Sequence, residues 1–210
     1  MFISIISPSF NQSLYLQRMI DSVMCQEYKN YEHLIYDPGS TDGSQNILNA
    51  YSNTNSNARV YIESDNGQID AINKGLAASK GDVLTWLNSD DYYFDESVLN
   101  TIASYFETQP SVDIVYGRGL RVDTDGKTLC EAYVQPDGTN FEETLEHSIG
   151  LLQPALFLRR SVYEKLGGLD EAWPLQLDYE LWIRCAQKGV RFSFIDKILC
   201  KATVHEEAKS

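Results

Sequence analysis

Long hydrophobic runs are missing from this 210-residue chain. Stretches such as Val83-Leu84 and Leu156-Phe157-Leu158 fall far short of the roughly 20 apolar residues a bilayer-crossing helix needs, so no membrane span is expected. Basic residues are scarce: 17 Lys and Arg against 30 Asp and Glu leave a formal net charge of −13. That balance argues against nucleic-acid and anionic-membrane partners, which require a basic footprint to neutralise phosphates, and leaves cation-dependent chemistry open. Cysteine is limited to Cys25, Cys130, Cys185 and Cys200, with no Cys-x-x-Cys pair and none beside a histidine, which removes a zinc knuckle or a redox dithiol from consideration. Buried free thiols are the expectation. The opening Met1-Phe2-Ile3-Ser4-Ile5-Ile6 lacks the basic segment of a signal peptide, so a reducing, cytoplasmic setting is expected, with peripheral contact at the inner face of a membrane left open. There are no repeats and no Pro/Gly linker, and a chain of this length reads as one domain, 1–210.

What is present is a rhythm. Phe2 to Ser7 is a β-branched run closed by Pro8, and a helical spacing follows from Ser13 through Leu16, Ile20 and Val23 to about Gln26. Tyr31 to Tyr36 reads as a second strand, ended by Asp37-Pro38-Gly39, with Ser40 or Thr41 as the cap of a helix reaching about Tyr51. Arg59 to Glu63, Ile69 to Ala78 and Asp82 to Leu87 complete a strand, a helix and a strand. Strand-helix units with short loops call for a parallel sheet covered by helices, and ligands bind such sheets at the carboxyl ends of the strands. The rhythm then changes. A helix is expected at 97–108, a hairpin from Asp113 to Val122 and Thr128 to Val134 around Asp125-Gly126, a strand at 153–159, helices at 161–166 and 177–188, and a last strand at 190–195. The second half is therefore mixed.

Four segments could carry chemistry. Asp90 and Asp91 close Trp86-Leu87-Asn88-Ser89-Asp90-Asp91, and two adjacent carboxylates at a strand mouth call for a cation; Mg²⁺ or Mn²⁺ is held by one or two carboxylates together with substrate phosphates. The same residues also suit a solvated turn. Asp37-Pro-Gly-Ser-Thr-Asp-Gly-Ser is a turn entering a helix and fits neither the dinucleotide nor the P-loop pattern. Asp70 and Lys74 stand at i and i+4, where a surface ion pair explains them. Asp178 opens the helix Leu177-Asp-Tyr-Glu-Leu-Trp-Ile-Arg, where it is either a dipole-favoured first-turn acid or a general base, and Glu180 with Arg184 forms an i, i+4 pair. His205, near the chain end, is either a surface histidine or a metal or phosphate contact.

In this order, Ser7-Pro-Ser-Phe-Asn11, the Asp37 segment, Asp65-Asn-Gly followed by Asp70-Ala-Ile-Asn-Lys74-Gly, Asn88-Ser-Asp-Asp91, Arg159-Arg160-Ser-Val-Tyr-Glu-Lys-Leu-Gly-Gly-Leu-Asp-Glu and Asp178-Tyr-Glu-Leu-Trp-Ile-Arg together resemble the family 2 glycosyltransferases with the GT-A fold. The resemblance covers nearly the whole chain. It implies a Rossmann-like three-layer α/β/α sandwich, a mostly parallel sheet with a mixed second half, made of a nucleotide-binding half (1–91) and an acceptor-binding half (92–210). It further implies an inverting, metal-dependent transfer of a sugar from a nucleotide-diphosphate donor to a hydroxyl of a glycan, lipid-linked or protein acceptor, as in polysaccharide biosynthesis. Asp91 would ligate Mn²⁺ or Mg²⁺ with help from His205, Asp90 would contact ribose or sugar, Asp178 would be the base, and Ser7, Ser9, Asp37, Asp65 and Lys74 would line the nucleotide pocket. Two departures stand out: Pro38 replaces an acid that many relatives use to read uracil, and Leu177 replaces the acid that usually precedes the base. A non-catalytic nucleotide-sugar-binding module and a nucleotidyltransferase on a similar sheet are the competing readings; the second lacks a Gly-rich basic phosphate loop after the first strand.

Overall fold

The computed structural model describes residues 1–132, 151–206 and 208. Its first three crossovers run β1 (Ile3–Pro8), α1 (Ser13–Met24), β2 (Tyr31–Asp37), α2 (Ser44–Thr54), β3 (Ala58–Ile62), α3 (Gln68–Ala78) and β4 (Val83–Trp86). These strands pair in parallel in the order β3-β2-β1-β4. Because the chain steps from β1 outward to β3 and then returns to the other side of β1 for β4, the gap between the ends of β1 and β4 is a topological switch point, the place where open α/β sheets bind ligands.

Alternation along β1 supplies two cores. Ile3 and Ile5 face one side, packing with Leu16, Met19, Ile20 and Val23 of α1 and with Leu48 of α2; Ile6 faces the other, among Ile69, Ile72 and Leu76 of α3. Each fully buried aliphatic side chain stabilises by roughly 1.5–3 kcal/mol, so the four from α1 fix that helix despite its lack of a side-chain N-cap. Gly75 lets α3 lie directly on β1: a Cβ there would sit 2.3 Å from Ile6 Cγ2.

The second half extends the same sheet through β5 (Tyr92–Tyr93), α4 (Val98–Thr108), β6 (Ile114–Val122), β7 (Thr128–Glu131), a single 3₁₀ turn (Gln153–Ala155), β8 (Leu156–Arg159), α5 (Arg160–Leu166), α6 (Leu177–Gln187) and β9 (Phe192–Thr203). β8 joins antiparallel to β4 and β6, β9 runs parallel to β6, β5 pairs with the far edge of β9, and β7 pairs with β6. Among the described residues no helix is long and apolar enough to cross a membrane.

Several details differ from the sequence expectation. The last strand does not stop at 195 but continues to Thr203, because Leu199 and Cys200 bury in the core with β6 and α4 side chains. α2 begins at Ser44, since Asp42 rather than Ser40 or Thr41 receives its first amide, that of Ser44. Cys185 and Cys200 are buried free thiols, but Cys25 and Cys130 are exposed, one at the solvent-side end of α1 and one on the uncovered β7. The expected 128–134 strand is described only as far as its end at Glu131; Val134 and the rest of 133–150 lie outside the described residues.

Candidate active site

The Asn88–Asp91 turn is held from three sides. The Ser89 hydroxyl donates to the Pro8 carbonyl at 2.5 Å, tying it to the end of β1, and β5, which follows at once, pairs with β9. From β9 the Thr203 amide donates to Asp91 Oδ1 at 3.1 Å and the Thr203 hydroxyl to the Asp90 carbonyl at 2.5 Å. Asn88 Nδ2 lies 3.4 Å from the other Asp91 oxygen. Asp91 is buried, and that burial, reinforced by the charge of Asp90, pushes its carboxyl well above the ordinary range. His205, two residues past the end of β9, stacks on Tyr15 of α1 at 4.7 Å and sets Nε2 3.0 Å from Asp90 Oδ2.

Asp178 occupies the first turn of α6. Leu177, Leu181, Trp182 and Cys185 bury the inner face of that helix, and Trp182 stacks on Trp86 at 5.6 Å with 17° between the planes. The helix that carries Asp178 therefore rests on the strand that leads into Asp90 and Asp91. Burial raises the Asp178 carboxyl, outweighing the Tyr179 amide donated to it at 2.8 Å. Glu180, one turn along, is spent on Arg184, which binds both its oxygens at 2.8 and 2.6 Å and also holds the Leu166 and Gly168 carbonyls.

Ser9, Asp65, Asp90, Asp91 and Asp178 border one cavity of about 720 Å³, and His205 reaches its edge through Asp90. Three expected pocket residues do not line it. Ser7 is fully buried beneath the floor, donating to the Leu87 carbonyl at 2.6 Å. Since that carbonyl can only accept, the serine oxygen receives its other bond from His33 Nε2 at 3.0 Å, and His33 Nδ1 accepts from the Tyr51 hydroxyl at 3.0 Å; burial lowers this imidazole to about 3, in keeping with a neutral ring. Asp37 is likewise buried and organises its own turn, accepting from the Gly39 and Ser40 amides and from the Ser9 and Ser40 hydroxyls. Lys74 points away, to Asp70 at 3.1 Å, Glu63 at 3.9 Å and the Ser64 carbonyl at 2.8 Å, and so pins the β3–α3 loop.

Other wall residues escaped the sequence reading. Gln153 donates from Nε2 to the Trp86 carbonyl at 2.6 Å, and Gln68 donates to Asn88 Oδ1 at 3.0 Å, so each turns its amide oxygen elsewhere, buried and without a partner. Their available signal was weak: a glutamine between Leu152 and Pro154 in an otherwise apolar run, and one just after Asn66-Gly67. Thr203 was readable, for Ile198 to Val204 is itself a β-type run.

Asp90, Asp91 and His205 supply hard oxygen and imidazole donors, and the buried Asp91 carboxyl has only two neutral N–H partners to offset the charge of Asp90. Among the described residues, however, no three or more His, Cys, Asp or Glu side chains are placed to hold a metal ion by themselves. The donor set fits a cation that completes its shell with oxygens of a bound phosphate and water.

The model of the glycosyl transferase family 2 matches residues 4–167. The chain belongs to that family. An uncharacterised glycosyltransferase of Rickettsia bellii is 30% identical over 99% of the chain, which spans 30% of the relative's length; the curated relatives it matches first are mostly much longer, as a second Rickettsia example, of which it covers 35%, also illustrates. Among solved structures, S. aureus TarS in complex with UDP-GlcNAc superposes with a TM-score of 0.81 at 21% identity, covering 100% of this chain and 60% of that one. The mannosyltransferase PcManGT from Pyrobaculum calidifontis, in complex with GDP-Man and Mn²⁺, gives 0.74 at 18%, over 99% and 58%. The family 2 chain thus has the GT-A architecture of these enzymes.

Proposed function

We propose that this family 2 domain transfers a sugar, with inversion, from a nucleotide-diphosphate donor to an acceptor hydroxyl, using a divalent cation. The observation that carries the reading is the position of two acidic sites on separately built elements around one cavity: Asp90 and Asp91 at the end of β4, and Asp178 on α6, coupled by the Trp86–Trp182 stack. The Asp65, Pro38 and Ala71 end of the cavity, at the carboxyl ends of β2 and β3 and the start of α3, suits the nucleotide. Asp91, with Asp90 and His205, would hold Mn²⁺ or Mg²⁺. When bound there, the cation neutralises charge on the diphosphate as it leaves.

The chain's own part is proton transfer and positioning. Asp178, its carboxyl raised by burial, takes the proton of the acceptor hydroxyl; that oxygen bonds to the anomeric carbon while the bond from this carbon to the diphosphate oxygen breaks, and attack opposite the departing group inverts the centre. Thr203 and Asn88 keep the Asp91 oxygens aimed, and Tyr15 keeps the His205 ring in plane with its task. The acceptor is read as a growing glycan, lipid-linked or protein-linked.

A thermal-shift panel of UDP-, GDP- and dTDP-sugars, each with and without Mn²⁺, tests this. One donor is expected to raise the melting temperature only with the metal, because a ligand that binds the folded state alone stabilises it. Equal shifts with and without Mn²⁺ would remove the role given to Asp91.

A further inference from the structure

Arg121, on β6, faces the same cavity and has no part in the mechanism above. Every other arginine is engaged: Arg59, Arg118, Arg184 and Arg191 with carboxylates, and Arg18, Arg159 and Arg160 with backbone or hydroxyl oxygens. Among the arginines, all of them described, only the Arg121 side chain has no hydrogen bond, ion pair or ring contact. In a chain with 30 acidic residues against 17 basic ones, a guanidinium left unpaired is against the odds.

Its backbone is held on both edges, opposite Cys130 of β7 and Ala202 of β9. Side chains two apart on a strand share a face. Gly119 is two residues earlier, and a Cβ built there would meet Leu152 Cδ1 at 2.7 Å; Leu152 is itself part of the cavity wall. Arg121 therefore stands on the cavity face of β6, one strand over from Thr203, the residue that binds both Asp90 and Asp91. A planar guanidinium with five donors, fixed at its root and free at its tip, matches the two oxygens of a phosphate or carboxylate.

We propose that Arg121 is an oxyanion-binding position of the substrate cavity, taking a phosphate or carboxylate carried by a substrate. The inference rests on the nucleotide-sugar reading of that cavity. Two sources share the chemistry: the diphosphate of the donor, and an anionic group on the acceptor, whose half of the domain β6 belongs to.

Calorimetric titration separates them. Inorganic pyrophosphate, then UDP, GDP and dTDP with Mn²⁺, are titrated into the wild type, Arg121→Gln and Arg121→Lys; inorganic phosphate is then titrated into protein saturated with whichever nucleotide binds. If the donor supplies the anion, nucleotide and pyrophosphate affinity fall about 10- to 100-fold in Arg121→Gln, the loss of one charge-assisted contact, with partial recovery in Arg121→Lys. If the acceptor supplies it, nucleotide affinity is unchanged and phosphate binding to the saturated wild type disappears in Arg121→Gln. Equal binding of all probes by wild type and Arg121→Gln overturns the proposal. Failure of every nucleotide to bind the wild type, with pyrophosphate still lost in Arg121→Gln, overturns the nucleotide-sugar reading and leaves Arg121 an anion site. Should the variants not fold, protection of wild-type Arg121 from phenylglyoxal by pyrophosphate, read by mass spectrometry, decides: no protection overturns the assignment.

Discussion

The two halves of the domain build their shares of the cavity by different means. In residues 1–91 the wall comes from loops that leave adjacent parallel strands, β1 and β4, and each loop is stitched by bonds to its neighbour, as with Ser89 to Pro8. In the second half the wall is tied across to the first: Gln153 reaches Trp86 and Thr203 reaches Asp91, so these bonds join the two halves. The contrast teaches that the first-half wall is a product of sheet topology, whereas the placement of the second-half wall depends on a few contacts that cross between the halves.

The sharpest way to break this contrast is to remove one acid from each half. Asp178→Asn is expected to lower turnover about 10²- to 10⁴-fold, the usual worth of a general base, while donor affinity stays unchanged; Asp91→Asn should lose turnover and the metal-dependent part of donor binding together. Calorimetry beside a turnover assay reads both, and equal effects of the two variants on donor binding would erase the distinction. Because burial raises the Asp178 carboxyl and a base must be ionised, turnover should also fall in acid from a pH above the ordinary carboxylate range.

Next in size is the stack that joins the halves. Trp182 is buried, and Trp182→Ala should cost about 3–5 kcal/mol in chemical denaturation. Beyond stability, its turnover at saturating donor should drop more than its donor affinity, because Asp178 loses its seat while the β1–β4 loops keep theirs.

A smaller effect belongs to the first half alone. His33 has its folded value lowered to about 3 from 6.5, so its contribution to stability is complete above 6.5 and is lost as the pH falls toward 3. Between pH 7 and pH 5 that amounts to about 2 kcal/mol. Asp91 and Asp178, raised by burial, act in the opposite sense, stabilising the fold as pH falls through their raised values. Urea titrations of wild type and His33→Gln at both pH values isolate the histidine: the wild type should lose more stability on acidification, and parallel slopes would contradict its neutral, buried state.

The smallest change concerns Lys74, whose ammonium is held by Asp70, Glu63 and the Ser64 carbonyl. Lys74→Ala should cost no more than about 0.5 kcal/mol, the worth of an exposed ion pair, and leave donor affinity alone. A clear loss of donor binding would return Lys74 to the pocket.

Periodicity made the parallel half legible almost to the residue, because β-then-α spacing and turn residues encode it locally. The paired acids and Asp178 were visible as motifs, and five of the expected residues do share one cavity. What stayed hidden was the direction of side chains. Ser7 and Asp37 have the right types at strand ends, yet alternation turns Ser7 inward to Leu87, and the Asp37 carboxylate is consumed by its own turn. Gln153 and Arg121 carry no motif, for their meaning depends on partners, or the lack of one, far away in the chain. The sequence pattern ends β9 early because the polar Asp196 and Lys197 interrupt it, although β6 continues to pair with the strand beyond them.

That long strand has a further consequence. Strand pairing fixes register to the residue, and a slip of one position exchanges the faces of every side chain. Displaced by one rung, β9 would present Ala202 or Val204 to Asp90 and Asp91 in place of Thr203, leaving no hydroxyl for the Asp90 carbonyl, and would carry His205 off Tyr15. The alignment of the Cys200–Thr203 end of β9, beyond the two register shifts opposite Tyr116 to Gly119, is thus the gauge that sets the acid pair.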